Sequence, residues 1–202
     1  MSATGRKEIS RPDGLERPPR ERLLDSAGEL FYREGYRAVG VDRLVAHSGV
    51  AKMTLYRHFP AKDDLIVAYL ERSREAFWLW FAEAIEGSET AREKLVALFA
   101  ATASLATAPQ CLGCAFQATA AEFPAPDHPG LSLAQAHKKV VLAELTGLAA
   151  EAGAKHPDRL AAELLLLMDG AFASARMFGS EGPASSVAIA AEAVIEAELA
   201  NR

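Results

Sequence analysis

Between positions 52 and 58 the chain crowds together Lys52, Thr54, Tyr56, Arg57 and His58: two cations, two hydroxyls and an imidazole. Cationic side chains suit phosphate oxygens, and hydroxyls and ring nitrogens can also meet base edges, so the chemistry this set suggests is contact with nucleic acid. Leu55 and Phe59, four apart, form the apolar side of a short helix that leaves the polar residues on its other faces, and Pro60 ends it. Upstream, Val41, Leu44 and Val45 make another apolar helical face. Gly49 between the two can take the left-handed conformation that a tight interhelical turn requires. The two segments read as a helix-turn-helix.

A second chemical feature is Cys111-Leu112-Gly113-Cys114. Thiols two residues apart can form a redox pair or half of a metal site, and Asp127, His128 and His137 follow as further potential ligands. A thioredoxin-type enzyme would need strands in a βαβ pattern, which the sequence does not suggest, and no second CxxC follows. Packing of the thiols at a helix start, with Cys114 as a small buried hydrophobe, is therefore preferred over a thiol sensor or a metal site. No obligatory disulfide is expected, because so short a loop restrains the unfolded chain little. GxSxG, a Walker loop, GxGxxG after a strand and HExxH are all absent. The expectation is no enzyme, no catalytic residue, no cofactor and no metal.

Gly35-Tyr36, then Val50-Ala51-Lys52 followed by Thr54-Leu55-Tyr56 and His58-Phe59, then Lys62 before an acidic pair and Leu65, closely resemble the signature of TetR-family transcriptional regulators. The resemblance covers about the first third of the chain. It implies an all-α fold, with a three-helix helix-turn-helix head on a larger helical body that dimerises and holds a small-molecule effector. Carried over residue by residue, it implies that Lys52, Thr54, Tyr56 and His58 contact operator DNA and that Lys62 touches a phosphate. Three helix starts depart from the family's Ser or Thr caps, having Gly40, Ala51 and Ala61 instead; losing a cap costs about 1 kcal/mol. Asp42 and Asp63-Asp64 in first turns partly offset this through the helix dipole. Met53 stands where the family often has glycine.

Composition is compatible with this. The 202 residues are 50% hydrophobic, enough for a substantial core, and the net charge is -5. Charge is unevenly spread: residues 1–60 hold eleven Lys or Arg against eight Asp or Glu, whereas residues 61–202 hold eleven against nineteen. A basic head on an acidic body fits local phosphate binding. The first nineteen residues contain no apolar run, and no apolar stretch approaches the ~20 residues a membrane helix needs, so a soluble cytoplasmic protein is expected.

The expected domains are a flexible arm over residues 1–17, with Arg6, Lys7, Arg11 and Arg17 as cations; a DNA-binding head over 18–62; and an effector-binding, dimerising body over 63–202. The first helix begins at Pro18-Pro19 and ends at Gly35, and a long helix from Ala61 joins head to body. Pro124, Pro126, Pro129 and Gly130 are expected to form a rigid loop before a helix over 131–151. Trp78, Phe99, Phe116, Phe123, Met168 and Phe172 are the candidate apolar pocket residues, with Gln117, His137, Asp169 and Arg176 to orient a ligand. Two C-terminal helices are expected to pair with a second copy through Leu164, Leu167, Ala171, Val187, Ala191, Val194 and Ile195. The expected function is a dimeric, ligand-released repressor on a palindromic operator. A redox protein using Cys111 and Cys114, or a ligand-blind DNA-binding protein, are the alternatives.

Overall fold

The computed structural model describes residues 17–200, which form an all-α fold with no strand among them. Most of the expected arm, including Arg6, Lys7 and Arg11, lies outside the described residues; Arg17 pairs with Asp25. The helices are α1 (Pro19–Glu34), α2 (Val41–Ser48), α3 (Lys52–His58), α4 (Lys62–Ile85), α5 (Ala91–Ala106), α6 (Ala115–Glu122), α7 (Pro129–Glu151), α8 (Pro157–Phe178) and α9 (Val187–Ala200). Two short 3-10 turns separate the last two.

The head closes on Leu23, Leu30, Phe31, Leu44, Leu55 and Phe59, all buried, each worth roughly 1.5–3 kcal/mol of apolar burial. α4 adds Leu65, Ile66, Tyr69 and Leu70 to the same core, and Phe116 of α6 and Ala134 of α7 reach it from the body. The starts of α2, α3 and α4 carry no side-chain cap from Gly40, Ala51 or Ala61. At α4 the Asp64 carboxylate instead accepts the Ala61 N–H at 2.8 Å. Gly49 has φ +63°, and a Cβ there would meet the Arg22 guanidinium at 2.7 Å. That guanidinium donates to the Ser48 carbonyl at 2.7 and 3.1 Å, locking the interhelical turn.

The body packs α5, α7, α8 and α9 with the second half of α4 around Phe81, Leu95, Leu98, Phe99, Val141, Leu145 and Leu160. Two sequence expectations change here. Pro129 and Gly130 do not belong to a loop. They open α7, with proline in its first turn, where its missing N–H costs nothing, and with His128 Nδ1 accepting the Gly130 N–H at 3.1 Å. The candidate dimer residues Leu164, Ala171, Val187, Ala191 and Ile195 are buried within the protomer, while Leu167 and Val194 are half-buried. Because α8 is apolar nearly all round, spacing cannot say which face points outward; the exposed large side chains are Leu166, Met177 and Phe178 on α8 and Ile189 on α9.

Candidate nucleic-acid interface and ligand cavity

α3 presents Lys52, Met53, Tyr56 and Arg57 to the exterior, Met53 at 82% exposure, while Thr54 and His58 are half-buried beside the anchoring Leu55. One short helix thus displays cations, hydroxyls and an apolar tip on the side away from the core. Lys52 Nζ lies 2.8 Å from Asp42 on α2, a solvent-facing pair that raises the lysine's pKa. Lys62 is placed differently: its Nζ turns inward to donate to the Tyr36 carbonyl at 2.5 Å and lies 6.0 Å from the Phe31 ring centroid. Burial lowers its pKa. Arg57, outward-facing on α3, is absent from the contact set carried over from the resemblance.

Head and body meet through α6 and the segment before it. Glu122, at the end of α6, accepts the Tyr36 and Arg37 backbone N–H groups at 3.0 and 2.7 Å. Tyr36 Oη donates to the Ala115 carbonyl at 2.9 Å. Tyr32 Oη donates to the Gly113 carbonyl at 3.0 Å and accepts the Leu112 N–H at 2.7 Å. Burial pushes both tyrosines' pKa values up, so they remain neutral donors. On the next element His128 stacks on Phe123, centroids 4.0 Å apart, and stands 3.7 Å from Asp63 at the start of α4.

Two adjoining cavities, of about 370 and 380 Å³, lie at this junction and share Tyr32 of α1, Tyr69 of α4, Cys114 and Phe172 in their walls. Gln117, Phe172 and Arg176 line the first, and Phe116, His137 and Phe172 the second. Polar atoms of Gln117 and Arg176 are already engaged, with the Asp169 and Tyr32 carbonyls, each at 3.1 Å. The other candidates do not reach a wall. Phe99 and Met168 are wholly buried in the body core, Trp78 packs on Phe81, Phe123 lies under His128, and the Asp169 carboxylate pairs with Lys138. Periodicity marks burial but cannot separate a filled core from a cavity wall. Sequence reasoning missed Tyr32, Tyr69, Phe77, Trp80 and Lys138; Tyr32 beside the head's apolar stripe was the one visible signal.

Cys111 is buried with its Sγ 3.9 Å from Tyr32 Oη, and Cys114, expected to be buried, is half-buried at the start of α6. Gly113 between them has φ +98°, and a Cβ there would stand 3.1 Å from the Phe172 carbonyl, so the spacing serves a close approach to α8. The thiols, Asp127, His128 and His137 do not converge: among the described residues no group of three His, Cys, Asp or Glu could hold a metal. Nor is any described helix long and apolar enough to cross a membrane.

Residues 23–69 match the family model for bacterial regulatory proteins of the tetR family. Over most of the chain, the structure is similar to that of a TetR-family transcriptional regulator from Streptomyces coelicolor. The TM-score is 0.81 and the identity 33%, covering 91% of this chain and 95% of that one. A tetR transcriptional regulator from Streptomyces avermitilis gives a TM-score of 0.79 at 32% identity, covering 90% and 98%. The transcriptional activator FasR of Mycolicibacterium smegmatis is 34% identical over 76 residues, 38% of this chain and only 35% of that protein's length.

Proposed function

Since the chain belongs to the TetR family of transcriptional regulators, we propose that it is a homodimeric repressor that binds a palindromic operator and is released by a small-molecule effector. The cavities lie where head and body meet, and the proposal stands on that placement: their walls take Tyr32 from the head, Tyr69 from the stretch of α4 that packs into the head's core, and Phe172 from the far side of the body. A ligand there touches both halves at once. In this account the head is residues 18–62 and the body 63–202. Lys52, Thr54, Tyr56 and His58 enter the major groove, joined by Arg57, and Lys62 reaches a phosphate only by leaving the Tyr36 carbonyl.

Release requires differential affinity: the effector must bind the DNA-incompetent arrangement more tightly, with couplings typically about 1–3 kcal/mol. The direct test titrates protein into fluorescent upstream DNA and adds compounds that raise the protein's melting temperature. A compound that dissociates the complex must itself bind more weakly, by the same factor, when operator is present. Equal affinity with and without operator would remove the effector from the account.

A further inference from the structure

The second cavity carries a chemical signature of its own. Its wall includes Phe77, Trp80, Phe116 and Phe172 together with His137. The His137 ring is stacked on Phe116 at 3.9 Å between centroids and meets Phe77 edge-on at 4.8 Å. The residue is 2% exposed, and its Nδ1 is buried with no hydrogen-bond partner among the described residues. A buried ring nitrogen without a partner costs free energy in the empty protein, and because Nδ1 is closed off as the rings now stack, a ligand recovers that cost by shifting the Phe116 or Phe77 ring. Burial, aided by the charges of Lys138 and Arg74, lowers the imidazole's pKa to about 4, so it is neutral near pH 7 and offers one donor and one acceptor.

Resting on the effector-site reading, we propose that this cavity takes an uncharged aromatic ligand bearing one hydroxyl group, with its ring among the aromatic side chains and its hydroxyl on His137. A hydroxyl both donates and accepts, so it satisfies either tautomer of a neutral imidazole. A carboxylate fits less well. Lys138, the cation in this wall, is already paired with Asp169, and an acid would have to break that pair or bury a charge unpaired. At about 380 Å³ the space suits a fused two-ring compound.

The test is calorimetric titration of the full chain, without DNA, by three probes on one skeleton: 2-naphthol, 2-naphthoate and 2-methylnaphthalene. The expected result is 2-naphthol binding at least about tenfold more tightly than either of the others, the ratio one good hydrogen bond supplies. His137→Phe should erase the preference over 2-methylnaphthalene, while His137→Gln, which keeps a neutral donor and acceptor, should retain much of it. If His137→Phe does not fold, the Gln variant and the three-probe order still decide. Tighter binding of 2-naphthoate, a hydroxyl preference surviving in His137→Phe, or no binding by any probe would overturn the proposed ligand class. Failure there with operator binding intact removes only the ligand class. A protein that binds 2-naphthol but binds no operator DNA even without the ligand removes the regulator reading instead.

Discussion

Lys52 shows how little separates the free head from one bound to DNA. Its partner Asp42 is itself 85% exposed, and such solvent-screened surface pairs are weak, so a phosphate can recruit the ammonium. Lys52→Ala, Tyr56→Ala and His58→Ala should each weaken operator binding by about 1–3 kcal/mol while leaving the body's melting unchanged. For Lys52→Ala the salt dependence should also drop by about one phosphate contact. Wild-type affinity in all three would remove α3 from the interface. At His137 the prediction concerns pH. Its folded pKa, about 4, lies below the ordinary 6.5, so the unfolded chain binds the extra proton. The stability it contributes is present in full above pH 6.5 and is lost as pH falls toward 4, a change on the order of 2–3 kcal/mol. Wild type should therefore lose more stability than His137→Phe across that window in denaturant titrations; parallel losses would mean the ring is not held neutral. The outward residues of α3 were legible because the motif is local. His137's orphan nitrogen was not, since it depends on α4 and α6 packing against α7.

Among the elements, α6 has the largest consequence for its length. Its first turn carries Phe116 and Gln117 into the cavity walls, and its last residue, Glu122, holds the Tyr36 and Arg37 amides ahead of α2. A carboxylate at a helix C-terminus opposes the dipole, so the two charge-assisted bonds must offset that cost. Glu122→Ala should lower stability by about 1–2 kcal/mol and, more tellingly, reduce the factor by which an effector weakens operator binding. An undiminished factor would show that the signal bypasses α6. Helix boundaries were readable wherever punctuation is chemical: Pro19, Gly35, Gly49 and Pro60 stop or start elements as expected. Pro129 misled because a proline cluster reads as a loop until one knows which member occupies a first helical turn. The clamp at Glu122 was invisible because its partners lie 85 and 86 residues away along the chain.

At the scale of the whole molecule, a basic head on an acidic body keeps the body off the phosphates, and in the proposed dimer the two heads share one side. The inward turn of Leu164 and Ile195 moves the proposed two-fold contact to the opposite faces of α8 and α9, centred on Leu166 and Ile189, which are 73% and 76% exposed. Leu166→Glu with Ile189→Glu should leave helicity intact and shift sedimentation from dimer to monomer; a dimer unaffected by both charges would place the interface elsewhere. Two linked heads should read half-sites about 34 Å apart, or a multiple of that, with affinity falling steeply as salt rises. The most direct measurement is a nuclease footprint of the purified protein on the intergenic DNA upstream of its own gene, beside a variant carrying Lys52→Ala, Tyr56→Ala and His58→Ala. The account predicts a protected, quasi-palindromic site with that spacing for the wild type and none for the variant. Protection that is absent from the wild type, or unchanged in the variant, would contradict it.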